Sequence, residues 1–239
     1  MIKLLTLLLF ISYYQFAAEI VFETELPNDK AFIDSNKETI NKQYLELESY
    51  FGVKPKEKVK IELLPFERNP TFFSCGRIYG PYRIYVHSPE SLKKLTGENL
   101  KKMNKTCINY TQNQILHTFY HEYIHSLTVL YVGHSNLPQW LWEGTAVNLS
   151  GQIQNTPLRG FAQKELKKYK GIDFCSEDFE KLHPYLVAGP VIHYFEKKIP
   201  KFNLKLLYAA KGNTLYRKRI IEEHNLVCNI KVKDIIVSM

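Results

Sequence analysis

The chain has four cysteines but no C-x-x-C pair, no low-complexity tract, no internal repeat and no basic run interleaved with aromatic residues. Each absence removes a class of protein. Without a C-x-x-C pair, dithiol redox catalysis and thiolate metal binding lose their usual signature. Without repeats, 239 residues of 45% apolar content are enough for one sizeable core or two small lobes. The formal net charge of +8 would ordinarily suggest nucleic acid, but the lysines are scattered. The excess is read as serving solubility or attraction to an anionic cell surface, and no nucleic-acid partner is expected.

A long apolar run is missing as well. Leu4 to about Tyr14 is apolar, preceded by Lys3 and followed by Ala17-Ala18, and is too short to cross a bilayer comfortably. It reads as a signal peptide over residues 1–18, so the rest is expected to be secreted or periplasmic, with no integral membrane span. Gln15 or Phe16 stands where a small residue usually precedes cleavage, which leaves an uncleaved N-terminal anchor as the alternative. In an exported chain, Cys75, Cys107, Cys175 and Cys228 fit two disulfides. Of the three pairings, Cys75 with Cys107 and Cys175 with Cys228 are expected. Buried free thiols are the alternative if the chain never meets an oxidising compartment.

What is present is the run His121-Glu122-Tyr123-Ile124-His125, with Glu143 eighteen residues after His125. Positions i and i+4 share a helix face, so the two imidazoles can bind one metal ion while Glu122 reaches a water beside it. Leu116, Phe119, Tyr120, Tyr123, Ile124, Leu127 and Leu130 recur at helical spacing, predicting a largely buried helix from about Thr111 to Tyr131. Gly133 to Pro138 breaks it, and Pro138 is placed to open a second helix through Trp140-Leu141-Trp142-Glu143-Gly144-Thr145-Ala146. Packed antiparallel, the pair brings Glu143 to the histidines and leaves a fourth tetrahedral position open, as in catalytic rather than structural zinc sites. His117, one turn before His121, offers a rival pair, but no carboxylate then stands in register. It is read as supporting or buried.

Elsewhere, Ile20–Thr24 reads as a strand, Asp29–Phe51 as a helix stopped by Gly52, and Lys58–Leu63 and Arg83–Val86 as strands, with a further one between Phe72 and Tyr79. From about Asn104 the pattern is mainly helical. The expected fold is α+β and zincin-like: a small N-terminal sheet lobe over residues 19–103, a helical lobe over 104–239 carrying the metal site, and the active-site cleft between them.

H-E-Y-I-H followed by L-P-Q-W-L-W-E-G-T-A resembles the gluzincin zinc metallopeptidases, and H-E-Y-x-H with W-x-E-G-x-A is similar to the peptidase domain of clostridial collagenases. The likeness runs from about Phe72 to the C-terminus, through Tyr185-Leu186-Val187-Ala188, the helix to Lys198 and a Leu-rich helix from about Asn203. It implies one zinc ion per chain held by His121, His125 and Glu143, Glu122 as general base, Tyr185 as the hydroxyl donor to the oxyanion, and a peptide or protein substrate. It further implies an edge strand bordering the cleft, for which Phe73-Ser74-Cys75-Gly76-Arg77-Ile78-Tyr79 is the candidate. Two features depart from the family. Val147 stands four residues after Glu143, where an acidic partner for a ligand is expected, and the spacing from His125 to Glu143 is shorter than in collagenases. Nothing in these residues corresponds to the large activator module of collagenases, so collagen is not the expected substrate. The alternative is a catalytically silent gluzincin-fold protein that binds a peptide or protein partner.

Overall fold

The computed structural model describes residues 19–68, 75–102, 111–133, 136–154, 164, 171–181, 187–209, 214–226 and 231–237. In chain order the strands are β1 (Ile20–Thr24), β2 (Val59–Leu64), β3 (Gly76–Ile78) and β4 (Arg83–His87). The helices are α1 (Pro27–Phe51), α2 (Pro89–Leu92), α3 (Gly97–Lys102), α4 (Gln112–Val132), α5 (Gln139–Leu149), α6 (Gly189–Glu196), α7 (Phe202–Tyr208), α8 (Thr214–Glu223) and α9 (Val232–Val237). The fold is therefore α+β. The described part of the expected edge strand is the short β3; residues 72–74 lie outside the described residues.

The four strands form one sheet in the order β1-β2-β4-β3, parallel from β1 to β4 and antiparallel between β4 and β3. Helix α1 makes the crossover from β1 to β2 and ends at Gly52, whose φ of 66° lets it close the last turn in the left-handed region. One sheet face is apolar: Val59, Ile61, Leu63, Ile84 and Val86 are buried with Phe119 and Tyr123 of α4 and Tyr44 of α1. Tyr44 lies with its ring centroid 4.2 Å from that of Tyr123, and Phe22 of β1 lies 5.5 Å from Phe119. The other face carries charge, where Arg83 bridges to Glu62 at 3.0 Å and Lys60 reaches the same carboxylate at 2.9 Å.

A second aromatic cluster fills the C-terminal half, with Trp140, Phe174, Phe179, Phe195 and Phe202 at centroid spacings of 4.8–6.0 Å. Arg217 of α8 is fully buried among three of these rings, its guanidinium carbon 5.1 Å from the Trp140 centroid and one nitrogen 3.0 Å from Glu180. Such an arginine combines a cation–π contact with an ion pair at the protein surface. Tyr50 at the end of α1 donates to Glu196 of α6 at 2.6 Å, tying the first helix to the C-terminal ones. Cys75 and Cys175 are both disulfide-bonded and no described cysteine is free; Cys107 and Cys228 lie outside the described residues. Among those residues no helix is long and apolar enough to cross a membrane.

Candidate metal centre

Helix α4 is set by both of its ends. Thr111 accepts from the Gln114 N–H while the Gln114 side chain accepts from the Thr111 N–H, and Gly133 closes the C-terminus with φ 81°. Between the caps, Phe119, Tyr123, Ile124 and Leu127 have no exposed surface. Those anchors turn His121 and His125 toward α5 and Glu122 toward β3. Pro138 is the N-cap of α5 rather than its first helical residue, and the helix buries Trp140, Leu141, Glu143, Gly144, Ala146 and Val147.

Contacts between the two helices pair residue 125 with 142, 121 with 143 and 117 with 150, so α5 runs back along α4 as expected. The result is a buried group of His121, His125 and Glu143 that could hold a metal ion, with ligand atoms all within 4.8 Å of one another. Glu143 Oε2 lies 3.2 Å from His121 Nε2 and 3.5 Å from His125 Nε2, and the two Nε2 atoms are 3.0 Å apart. His125 also stacks on Trp142, centroids 4.2 Å apart and planes within 5°.

Donor chemistry tests whether a cation fits. His121 Nδ1 lies 2.9 Å from Gln152 Oε1, an acceptor, so Nδ1 carries the proton and Nε2 of the neutral ring presents a lone pair. That lone pair faces a carboxylate oxygen and a second imidazole nitrogen at close range. Electron-rich atoms so arranged call for a proton or a metal ion among them, and two imidazoles with one carboxylate suit a first-row divalent ion. The same attraction appears in proton affinities. Burial is the largest single influence on the His121 pKa and lowers it, but Glu143, the Glu122 charge and Gln152 together outweigh it and the net shift is upward. Burial pushes Glu143 up, and its bonds to both imidazoles more than reverse this, holding it well below the usual carboxylate range. His125 falls to about 4, with burial the main cause.

Glu122 lies beside this group without joining it. It is 5% exposed, and burial raises its pKa to about 7. A carboxylate so shifted exchanges protons near neutrality, as a general base should. Gly76 of β3 lies against it: a Cβ there would stand 2.7 Å from Glu122 Cγ.

Sequence reasoning missed two contributors. Gln152, in a short 3-10 turn over Gln152–Gln154, supplies the partner for His121 that was sought at Val147. Val147 is buried in helix packing instead, because a Cβ on Gly189 of α6 would meet its Cγ1 at 2.6 Å. Gly144 makes the matching close approach to Ala188 and Ile192. The other missed contributor is Gly76, whose place in an edge strand hints at a close approach without naming what approaches. His117 is not a ligand; its Nδ1 donates to the Ser150 carbonyl at 2.5 Å. His193 pairs with Asn148 at 2.8 Å. Tyr185, His134 and His183 lie outside the described residues.

The fold and site thus define a protein with a buried two-histidine, one-glutamate centre able to hold a metal ion. No protein family, curated protein or solved structure matches the chain.

Proposed function

We propose that the chain is an exported zinc metallopeptidase of zincin-like fold that hydrolyses peptide bonds. The observation that carries this is the convergence of His121, His125 and Glu143, with Glu122 buried beside them and near neutral in its proton affinity. The three side chains would hold one zinc ion, which would supply Lewis acidity to acidify a water and polarise a carbonyl. Glu122 takes the proton of the attacking water and returns it to the departing amine as the C–N bond breaks. Tyr185, by the family resemblance, donates to the oxyanion.

Strand β3 suits an extended substrate. It ends the sheet order, so its second edge has no strand partner among the described residues. Cys75 and Tyr79 bond toward β4, through His87 N–H to Cys75 O and Tyr79 N–H to Arg83 O. By the alternation of an antiparallel ladder, the backbone groups of Gly76 and Ile78 face the free edge. A peptide pairing there binds through its main chain and passes Glu122, which Gly76 touches.

The test is zinc content per chain together with cleavage of a mixed peptide library by the wild type and Glu122→Gln. One zinc per chain and cleavage that disappears in the variant support the reading. Absence of metal uptake overturns it. Stoichiometric zinc without any Glu122-dependent cleavage favours the silent, partner-binding alternative.

A further inference from the structure

The place where the family resemblance calls for an acidic partner is occupied by Val147, packed on Gly189, yet His121 Nδ1 is not left without an acceptor. Beyond α5 the chain turns at Ser150, passes through Gly151 with φ 79°, and enters the short turn that carries Gln152 back to His121. This reversal is held from the metal helix. His117, on the same face of α4 as His121 and one turn earlier, donates from Nδ1 to the Ser150 carbonyl. Its ring also packs on the turn so closely that a Cβ on Gly151 would meet Cε1 at 3.0 Å. Gly151 thus satisfies two demands, a left-handed backbone and room for the imidazole.

We propose that Gln152 is the positioning residue of the metal centre and that His117 is the clamp that aims it. Gln152 takes over the place of the absent carboxylate, nine residues after Glu143 rather than four. The proposal rests on the reading of His121, His125 and Glu143 as metal ligands. A cation at Nε2 obliges Nδ1 to carry the proton, so only the carboxamide oxygen of Gln152 can face it. That bond fixes the ring's tautomer and rotation. Because the acceptor is neutral, it makes His121 a weaker electron donor than a carboxylate would. His117 acts one step further out. It touches no ligand atom, but its hydrogen bond and ring contact set where the Gly151 turn delivers Gln152.

The experiment measures zinc affinity of the full chain by competition with a chromophoric chelator, with the melting temperature of the metal-free protein alongside. Gln152→Leu keeps the size and removes the acceptor; zinc affinity is expected to fall about 10–100-fold, the range seen when such outer partners are lost. Gln152→Glu restores the acceptor and is expected to bind zinc at least as tightly as the wild type. His117→Leu is expected to weaken binding in the same direction by a smaller factor. With cobalt in place of zinc, the visible band of Gln152→Leu should change shape, and that of Gln152→Glu should keep the wild-type form.

Wild-type zinc affinity in Gln152→Leu overturns the proposal. So does a loss of affinity that follows a lower metal-free melting temperature and is not rescued by Gln152→Glu, since a merely structural glutamine behaves that way. A wild-type chain that takes up no zinc overturns the metal reading itself, which keeps the two failures apart.

Discussion

Gly76→Ala probes the close approach between the sheet edge and the proposed base. The new Cβ would stand 2.7 Å from Glu122 Cγ and 2.8 Å from Oε1, and ordinary contact begins at 3.4 Å. Something must retreat by 3.4 − 2.7 = 0.7 Å. Helix α4 cannot, because Phe119, Tyr123 and Leu127 pin it with no exposed surface. The flexible carboxylate arm moves instead, at a rotamer cost of about 0.5–1.5 kcal/mol. Stability should therefore fall little, by about 2–5 °C in melting temperature for a chain of this size. Catalysis should fall much more, since a 1 Å misplacement of a catalytic group costs about 100-fold; kcat is expected to drop about 10–100-fold. The assay is steady-state cleavage of a peptide substrate with zinc content measured on the same sample. Gly171→Ala, where a Cβ would meet nothing within 4 Å, serves as the control. A folded, fully zinc-loaded Gly76→Ala enzyme within twofold of wild-type kcat would refute the steric argument.

Three further outcomes are expected. Tyr185→Phe tests the oxyanion role proposed for Tyr185 and should lower kcat about 100–1,000-fold with zinc content unchanged, the loss typical of one such donor, measured on the same peptide. Val147→Asp should not improve the metal site; it buries a carboxylate against Gly189 and should cost about 3 kcal/mol or more, read as a lower melting temperature. Burial would raise the Glu62 pKa, but bonds from Arg83, Lys60 and Tyr85 outweigh it and hold it at about 2. A carboxylate lowered in the fold stabilises above its unfolded pKa and loses that contribution as pH falls from about 4.5 through 2. Its cations are half exposed, so the contribution is about 1 kcal/mol after solvent screening. Unfolding midpoints at pH 6 and pH 3 should differ less in Glu62→Gln than in the wild type.

Much of the site could be read from residue order because its parts obey local rules. His121 and His125 share a face by helical spacing, and the apolar period with the break at Gly133 bounds their helix close to the caps that the structure shows at Thr111 and Gly133. Strands β1, β2 and β4 and helix α1 followed from periodicity within about two residues of their bounds. What escaped depends on contacts that no period encodes. Gln152 reaches His121 only after the turn at Gly151, and side-chain direction beyond such a turn is not fixed by spacing. Arg217 looks like a solvated helix residue until Trp140, Phe174 and Phe179, between 38 and 77 residues earlier, enclose it. The order that places β4 between β2 and β3 is likewise a property of the assembled sheet.

The crossing of α5 and α6 at Gly144, Ala188 and Gly189 leaves no slack at the scale of one methyl group. Glu143 is on the same short helix as Gly144, so the depth at which that carboxylate enters the centre is governed from behind. A change at Ala188 or Ile192, which pack on Gly144, would act as an adjusting screw on the group of His121, His125 and Glu143. Preference among divalent ions could then drift in related chains while every coordinating side chain stayed the same.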